Sequence, residues 1–488
     1  RYISIVNAMQ FRRGGAAVLL APTLLLTQCL KAENGSEGSP QYSNGGSANG
    51  QAGSASLGGS STQSGGSASV TNGGSGGSST IAGSSGASAG SAGTAGTADV
   101  RGPTPATASA KFPFPQNRQS TLCTYPNYKN SDVLTAYQRW KADTITSNGA
   151  GGHMRVQRPN DPGLDPNSTV SEGIGYGMIL AVYMNDQTLF DELWKYEQIW
   201  LGQNGLMDWY ISGDGMTRLG TGAATDADED MAWALLMADR QWGTTGTLGD
   251  TYLNVAKKQI GLVYDYEIYQ LKLVKPGDTW GDWTTVNASY FAPSYYRAFA
   301  TATGNDGWDQ VVQTVYDTLT NLLNTTNGNL SNGLVPAWST SDGVPNSGVF
   351  GDMQTAPTNY QYDSCRTPFR IGLDYCMNNE PRAQAYVAKT SQFFAGIGAK
   401  SIVDGYQLSG APEPQNTSGQ SAAFVGPATV GAMSSATYQS FVQAGYDDVA
   451  SMNLLVGGEY YDESWTVLSL LMLSGNFVDY TTQMPLMP

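Results

Sequence analysis

The chain has 488 residues, with 40 Asp and Glu against 25 Lys and Arg, and its formal net charge is −15. This charge argues against a nucleic-acid partner, because phosphate backbones attract basic surfaces. A single histidine, His153, and four cysteines without a C-x-x-C pair disfavour Ser-His-Asp or Cys-His catalysis and the usual zinc sites. Carboxylates and aromatic rings are the abundant chemical groups, and no metal or cofactor is expected.

Residues 1–32 have the pattern of an export signal. Two arginines at positions 12 and 13 precede an apolar stretch over residues 14–26, which suits a signal peptide and is too short to span a membrane. The sequence L-T-Q-C ending at Cys29 resembles a bacterial lipoprotein box, which would anchor the protein through a lipid on Cys29. Gln28 departs from the small residue expected there, so conventional secretion is the alternative. We expect a secreted or cell-envelope-attached protein.

Residues 33–111 are dominated by Gly, Ser, Ala and Thr, and such a segment buries too little apolar surface to fold, which predicts a flexible linker. Residues 112–488 form the predicted globular domain, in which apolar periodicity indicates twelve helical segments. These segments begin near Ser131, Ser171, Thr188, Asp226, Asp250, Ser289, Gly307, Arg366, Pro381, Gln420, Thr437 and Tyr460.

The connections between these segments alternate in length. Short links follow the even-numbered segments, and long links over about residues 144–170, 203–225, 264–288 and 327–365 precede them. This alternation predicts an all-α fold of six helical hairpins closed into an (α/α)6 barrel. Every long loop would then lie at one end, where the even helices begin, and long loops in compact domains are usually functional.

Glu172 lies at the start of the first even-numbered segment, in the sequence S-E-G-I-G-Y-G over residues 171–177. Each glycine inside a helix costs about 1 kcal/mol relative to alanine, so three in two turns require a compensating contact. The close approach of a bound ligand would supply one. Close packing of a neighbouring helix, with Glu172 incidental, is the alternative.

Two further carboxylates begin helices at the same end. Asp226 opens the sequence D-A-D-E-D before an apolar helix, where the helix dipole favours negative charge. Asp228 and Asp230 are expected to cap this helix or to pair with arginines 366 or 370. Asp363 precedes Arg366 by three residues, and pairing between them would keep Asp363 ionised. An ordinary surface ion pair is the alternative.

These segments together resemble glycoside hydrolase family 8, as does N-A-S-Y-F-A-P over residues 287–293. The resemblance implies an inverting enzyme in which Glu172 donates a proton, Asp363 is the base and Asp226 binds the central sugar. Tyr290 would neighbour the base. Phe369 departs from the tryptophan common in the family. Expected substrate contacts are Tyr290, Arg366, Trp209, Trp283, Tyr360 and Tyr362.

The branch of the family with an aspartate base implies an endo-β-1,4-glucanase acting on cellulose or carboxymethylcellulose. Xylan, lichenan and chitosan remain alternative substrates. A non-catalytic polysaccharide-binding envelope protein would keep the loop aromatics but would not need an acid and a base. A monomer with the polysaccharide as its partner is expected. Because export favours oxidation, a disulfide between Cys123 and Cys376 is also expected, with Cys365 less available inside the active-site segment.

Overall fold

The computed structural model of the protein describes residues 110–159, 165–243, 245–347, 357–413, 419–452 and 459–485. The predicted export signal with Cys29, and the predicted linker apart from its last two residues, lie outside the described residues. Within the described ranges, no helix combines the length and the apolar character needed to cross a membrane.

The described part of the chain contains twelve α-helices, and their starts agree closely with the predicted ones. The largest difference is at the sixth helix, where residues 288–290 form a 3-10 turn and Pro293 begins the helix, a position that proline favours. The helices are α1 Asn130–Thr144, α2 Ser171–Tyr183, α3 Gln187–Ile199, α4 Thr225–Trp242, α5 Tyr252–Tyr266, α6 Pro293–Thr303, α7 Gly307–Leu322, α8 Thr367–Asn378, α9 Pro381–Ile397, α10 Ala422–Ala432, α11 Gln439–Met452 and α12 Tyr460–Leu473.

The even-numbered helices form a closed inner ring. Each contacts the next even helix along the chain, and α12 packs against α2 to complete the circle, while the odd-numbered helices pack around the outside. All of α10 is buried, as is all of α2 except Glu172. Helices that are apolar all round belong inside a fold, whereas the outer helices keep an exposed polar face. The predicted (α/α)6 barrel is confirmed.

Five short strands were not predicted, and all lie in the long loops before α2 and α4. They are β1 Ile145–Thr146, β2 Arg155–Val156, β3 Thr169–Val170, β4 Tyr210–Ile211 and β5 Arg218–Gly220. β1 pairs with β2, and β3, β4 and β5 form an antiparallel sheet in that order. Strands of two or three residues are too short to show an alternating pattern. The sheet places Ser171 beside Trp209, whose carbonyl oxygen accepts from the Ser171 N–H at 2.9 Å.

Residues 110–129, here called the floor segment, cross the opposite end of the barrel. Their backbone N–H groups donate to carbonyl oxygens at the carboxyl ends of inner helices, which have no partner within the helix. These bonds join Lys111 to Gln241 of α4 at 2.9 Å, Thr124 to Met433 after α10 at 2.8 Å, and Arg118 to Gly475 after α12 at 2.7 Å. The floor segment therefore holds the closed end of the ring together.

The floor segment is also linked covalently to α8. Cys123 and Cys376 form a disulfide with a Cα–Cα distance of 5.6 Å, which confirms the predicted pairing, and Cys365 is buried and free. The bond spans 253 residues of sequence. On the chain-entropy account, closing a loop of this length stabilises the fold by about 5 kcal/mol.

A shortened chain that begins at Ala110 should unfold at the same temperature as the full chain and keep its activity. The reason is that, among the described residues, the contacts of the floor segment with the barrel begin at Lys111. A chain that begins at Asn130 is the comparison, since it lacks the floor segment and the disulfide and should unfold at a clearly lower temperature. Circular dichroism melting curves of both would test this. Loss of cooperative unfolding in the Ala110 variant would contradict it.

Candidate active site

A cleft lies at the end of the barrel where the inner helices begin. The amino-terminal ends of these helices point toward it, so their dipoles favour negative charge there. The cleft brings together seven residues selected from the sequence, which are Glu172, Trp209, Asp226, Tyr290, Tyr362, Asp363 and Arg366. The expectation that the even helices and long loops build one site is confirmed by this convergence.

Glu172 is held on both carboxylate oxygens. The Tyr460 hydroxyl donates to Oε1 at 2.5 Å, and Arg366 Nη1 donates to Oε2 at 2.5 Å. Its side chain is 18% exposed, on the cleft side. Burial is the largest influence and, with the negative charge of Asp226, raises the pKa of Glu172 to about 7, against the opposing effects of Arg366 and Tyr460. Glu172 therefore retains a proton up to neutral pH.

The glycines that follow Glu172 serve helix packing. A Cβ added at Gly175 would lie 3.0 Å from the Ala227 carbonyl oxygen of α4, and one at Gly177 would lie 2.8 Å from Leu193. The alternative explanation for these glycines is therefore correct, since they let α2 approach its neighbours closely. It does not displace the functional interpretation of Glu172, because this is the one residue of α2 that is not buried.

Arg366 connects two carboxylates from different helices. It is 2% exposed, and its Nη1 donates to Asp226 Oδ2 at 2.6 Å as well as to Glu172. The guanidinium also lies over the Tyr290 ring, 5.1 Å from its centroid. A buried arginine requires compensating charge, and Asp226 supplies it, while Glu172 accepts a further hydrogen bond from the same nitrogen.

The predicted pairing of Arg366 with Asp363 is wrong. Among the described residues, the acceptors of the Arg366 guanidinium are Glu172, Asp226, Tyr176 and Ser289. Arg366 immediately precedes α8, and its side chain extends into the ring of inner helices, where carboxylates of α2 and α4 are available. The short sequence separation suggested a local ion pair that the fold does not form.

Asp363 is partly exposed to the cleft and is held by uncharged N–H donors. Trp338 Nε1 donates to Asp363 Oδ2 at 3.2 Å, and Gln361 Nε2 donates to the same oxygen at 3.3 Å. Gln361 Oε1 in turn accepts from the backbone N–H of Asp363 at 2.8 Å. Hydrogen bonds to the ionised form of a carboxyl group favour that form.

The other acidic residues of α4 are structural. Asp230 forms a two-point ion pair with Arg370 at 2.5 and 2.8 Å, as expected. The expectation for Asp228 is wrong, because this side chain is buried away from both arginines and accepts from Gln259 at 3.0 Å. Burial and the nearby Glu267 raise its pKa. In the part of the chain that the structure describes, no three His, Cys, Asp or Glu side chains are arranged to hold a metal ion.

Three of the predicted aromatic contacts line the cleft. Trp209 is 7% exposed, and its indole packs so closely on Gly220 that a Cβ there would lie 2.2 Å from Nε1. Tyr290 lies under the guanidinium of Arg366. Tyr362 donates its hydroxyl hydrogen to Asp404 Oδ2 at 3.2 Å. All three rings are held in place by other parts of the protein.

The remaining two aromatic residues do not line the cleft formed by the described residues. Tyr360 is completely buried, packs against Phe394 and Phe424, and donates to the Cys365 carbonyl oxygen at 3.4 Å. This burial corrects the expectation that Tyr360 stacks on a sugar. Trp283 is 49% exposed on the loop before α6. Its contact with substrate stays a prediction, which concerns sugars of a long chain that extend beyond the cleft.

Among the lining residues that sequence reasoning did not select, three have charged or aromatic side chains, and these are Arg158, Tyr460 and Tyr461. The two tyrosines begin α12, an even-numbered helix. Glu172 and Asp226 were selected because they lie at the starts of even-numbered helices, and the same criterion could have identified the tyrosines. Arg158 precedes β3, and its guanidinium lies over the rings of Tyr210 and Tyr460 at 5.2 and 5.9 Å. Nothing in the local sequence distinguishes it from other arginines.

Comparisons with known proteins agree with this geometry. Residues 112–475 match the family described as "Glycosyl hydrolases family 8". The chain is 37% identical over 383 residues to "Endoglucanase 2" of Ruminiclostridium josui, covering 76% of this chain and 78% of that protein. It is 39% identical over 345 residues to "Endoglucanase A" of Acetivibrio thermocellus, covering 70% and 68%. A solved β-1,3-1,4-glucanase from Paenibacillus sp. X4 has a TM-score of 0.68 and 29% identity, covering 75% of this chain and 99% of that one.

The family match extends from Phe112, in the floor segment, to Gly475, just after α12. It therefore includes all twelve described helices and every residue that lines the cleft. The resemblance drawn from the sequence motifs is confirmed, and the chain belongs to glycosyl hydrolase family 8.

Proposed function

We propose that the protein is an endo-β-1,4-glucanase that hydrolyses internal bonds of a glucan such as cellulose or carboxymethylcellulose, with inversion at the anomeric carbon. The observation that carries this proposal is the contrast between two carboxyl groups in one cleft. Burial raises the pKa of Glu172 to about 7, whereas Asp363 receives two N–H donors on one oxygen. Carboxyl groups in such different environments are suited to acid and base roles.

In this mechanism, Glu172 gives its proton to the glycosidic oxygen as the bond to the anomeric carbon breaks. Asp363 accepts a proton from the water that attacks the opposite face of the sugar. Asp226 binds the central sugar, and Arg366 fixes both Asp226 and Glu172 through its two hydrogen bonds. Trp209 and Tyr362 line the cleft, and their rings are available to pack against the sugars.

The choice of glucan is supported by the names of the relatives, two of which are endoglucanases. The likeness to a β-1,3-1,4-glucanase favours a mixed-linkage glucan such as lichenan as the second candidate. Endo action is supported by the same two relatives, because both are named endoglucanases.

A substrate comparison tests the proposal. We expect reducing sugar to be released from carboxymethylcellulose and lichenan faster than from xylan or chitosan, with a rapid fall in the viscosity of carboxymethylcellulose because internal bonds are cut. The Glu172→Gln protein is the control for contaminating activity. Preference for xylan or chitosan would overturn the substrate assignment, and slow loss of viscosity relative to sugar release would overturn endo action.

A further inference from the structure

Two side-chain hydrogen bonds to Asp363 come from described residues that do not line the cleft. Trp338 is completely buried, in the long loop between α7 and α8. Gln361 is 5% exposed and lies in the turn that precedes α8. We propose that Trp338 and Gln361 are positioning residues that set the orientation of the Asp363 carboxylate and hold it ionised for attack by water. This inference rests on the proposed role of Asp363 as the base.

Trp338 is fixed from several directions. Its backbone N–H donates to the Pro357 carbonyl oxygen at 3.0 Å, and the adjacent Ser339 exchanges backbone hydrogen bonds with Val286 at 2.7 and 3.1 Å. These bonds tie Trp338 to the loop before α6 and to its own loop near α8. A donor held this firmly needs no reorganisation when charge moves in the reaction, which is the condition for efficient electrostatic support.

The indole ring is fixed as well. It packs against Trp280 with a centroid distance of 5.7 Å and meets Tyr290 edge-on at 6.4 Å. Tyr290 lines the cleft, so the ring of Trp338 lies directly behind that wall. Its Nε1–H consequently reaches Asp363 from the protein side, and the ring itself makes no surface available to substrate.

Gln361 acts on both ends of Asp363. Its Oε1 accepts from the Asp363 backbone N–H at 2.8 Å while its Nε2 donates to Oδ2 at 3.3 Å. Its own backbone N–H donates to Ser364 Oγ at 2.8 Å, within the same turn. The amide therefore fixes the position of the Asp363 backbone and the direction of its side chain together.

Among the described residues, charged and titratable groups from several neighbouring elements line the same cleft as Asp363 or lie next to it in sequence. The carboxylates disfavour a further negative charge, and the arginine favours it. These groups include Glu172 on α2, Asp226 on α4, Tyr290 before α6, Cys365 and Arg366 before α8, and Tyr461 on α12. A change from Trp338 to Phe keeps all of these groups and an aromatic ring beside Tyr290, so it tests the indole donor.

Trp338→Phe keeps an aromatic ring and removes the N–H. We expect kcat to fall about 10- to 100-fold, the loss typical of a hydrogen bond to a charged group, with KM changed less than twofold because Trp338 does not touch the substrate. The acid limb of the pH profile should move to higher pH, since a base that loses a donor is ionised less readily. The matched control is Trp308→Phe, because Trp308 is completely buried and its Nε1 has no hydrogen-bond partner among the described residues.

Gln361→Glu gives an independent test if Trp338→Phe is poorly folded. It keeps the Oε1 acceptor for the backbone of Asp363 and replaces the N–H donor with a carboxylate oxygen, so the acid limb should again move to higher pH. The inference is overturned if both variants keep the kcat and the acid limb of the Trp308→Phe protein. A fully active Asp363→Asn protein would instead refute the proposed base, so the two failures are distinguishable.

Discussion

Glu172→Gln is expected to lower kcat on a β-1,4-glucan by about 10³- to 10⁴-fold, the upper range for loss of a general acid. Glutamine keeps the shape and can still accept from Tyr460 or Arg366, so KM should change little. A substrate whose leaving group needs no proton, such as a nitrophenyl cello-oligosaccharide, should lose much less rate. Turnover close to that of the unaltered protein on carboxymethylcellulose would assign the acid elsewhere. Glu192→Gln, on outer helix α3, is the control.

The pH dependence of the unaltered protein should follow from the same group. Because burial raises the pKa of Glu172 to about 7 in the protein without substrate, kcat/KM should fall as the pH rises through about 7, and the residual activity of Glu172→Gln should lack this limb. The free energy of unfolding should also decrease as the pH rises, because of the same group. The folded pKa exceeds the unfolded value of 4.5, so the stabilising contribution is complete below pH 4.5 and is lost as the pH rises through about 7. The Gln variant should not show this loss.

Asp363→Asn should reduce kcat by a similar factor of about 10³ to 10⁴ while leaving the unfolding temperature nearly unchanged. The amide occupies the same space and can still accept from Trp338 or Gln361, but it cannot take a proton from water. Asp342→Asn, an exposed position in the loop that also carries Trp338, is the control. Full activity of Asp363→Asn would contradict the assignment.

The stereochemistry of the reaction tests the role of Asp363 without a mutation. A single displacement by water inverts the anomeric centre, so the first sugar released from a β-1,4-glucan should be the α-anomer. Proton NMR during the first minutes of hydrolysis would detect it before mutarotation. An initial β-anomer would exclude the water-activating role proposed for Asp363.

The barrel was predictable because its pattern is local. Inner helices α2 and α10 show apolar residues on nearly all sides, the outer helices show a 3.6-residue period, and alternating loop lengths indicate how the helices pair. The same pattern placed Glu172, Asp226 and Asp363 at one end. These inferences required only neighbouring residues in the sequence.

The contacts within the site were not predictable in this way. Tyr460 reaches Glu172 across 288 residues of sequence, and Arg366 reaches Asp226 across 140. Burial decided the second case, because an arginine inside the ring requires carboxylates close by, whatever their sequence distance. Tyr360 shows the opposite error, since a tyrosine in a long loop was expected to be exposed and is instead buried against Phe424.

The floor segment places Ala110, where the described chain begins, at the end of the barrel opposite the cleft. Lys111 is bonded to Gln241, which follows Asp226 by 15 residues along α4, or about 23 Å at 1.5 Å per residue. The chain therefore enters the barrel at the pole opposite the cleft. A bead or a fused protein joined directly at Ala110 would therefore lie on the side of the barrel away from the cleft.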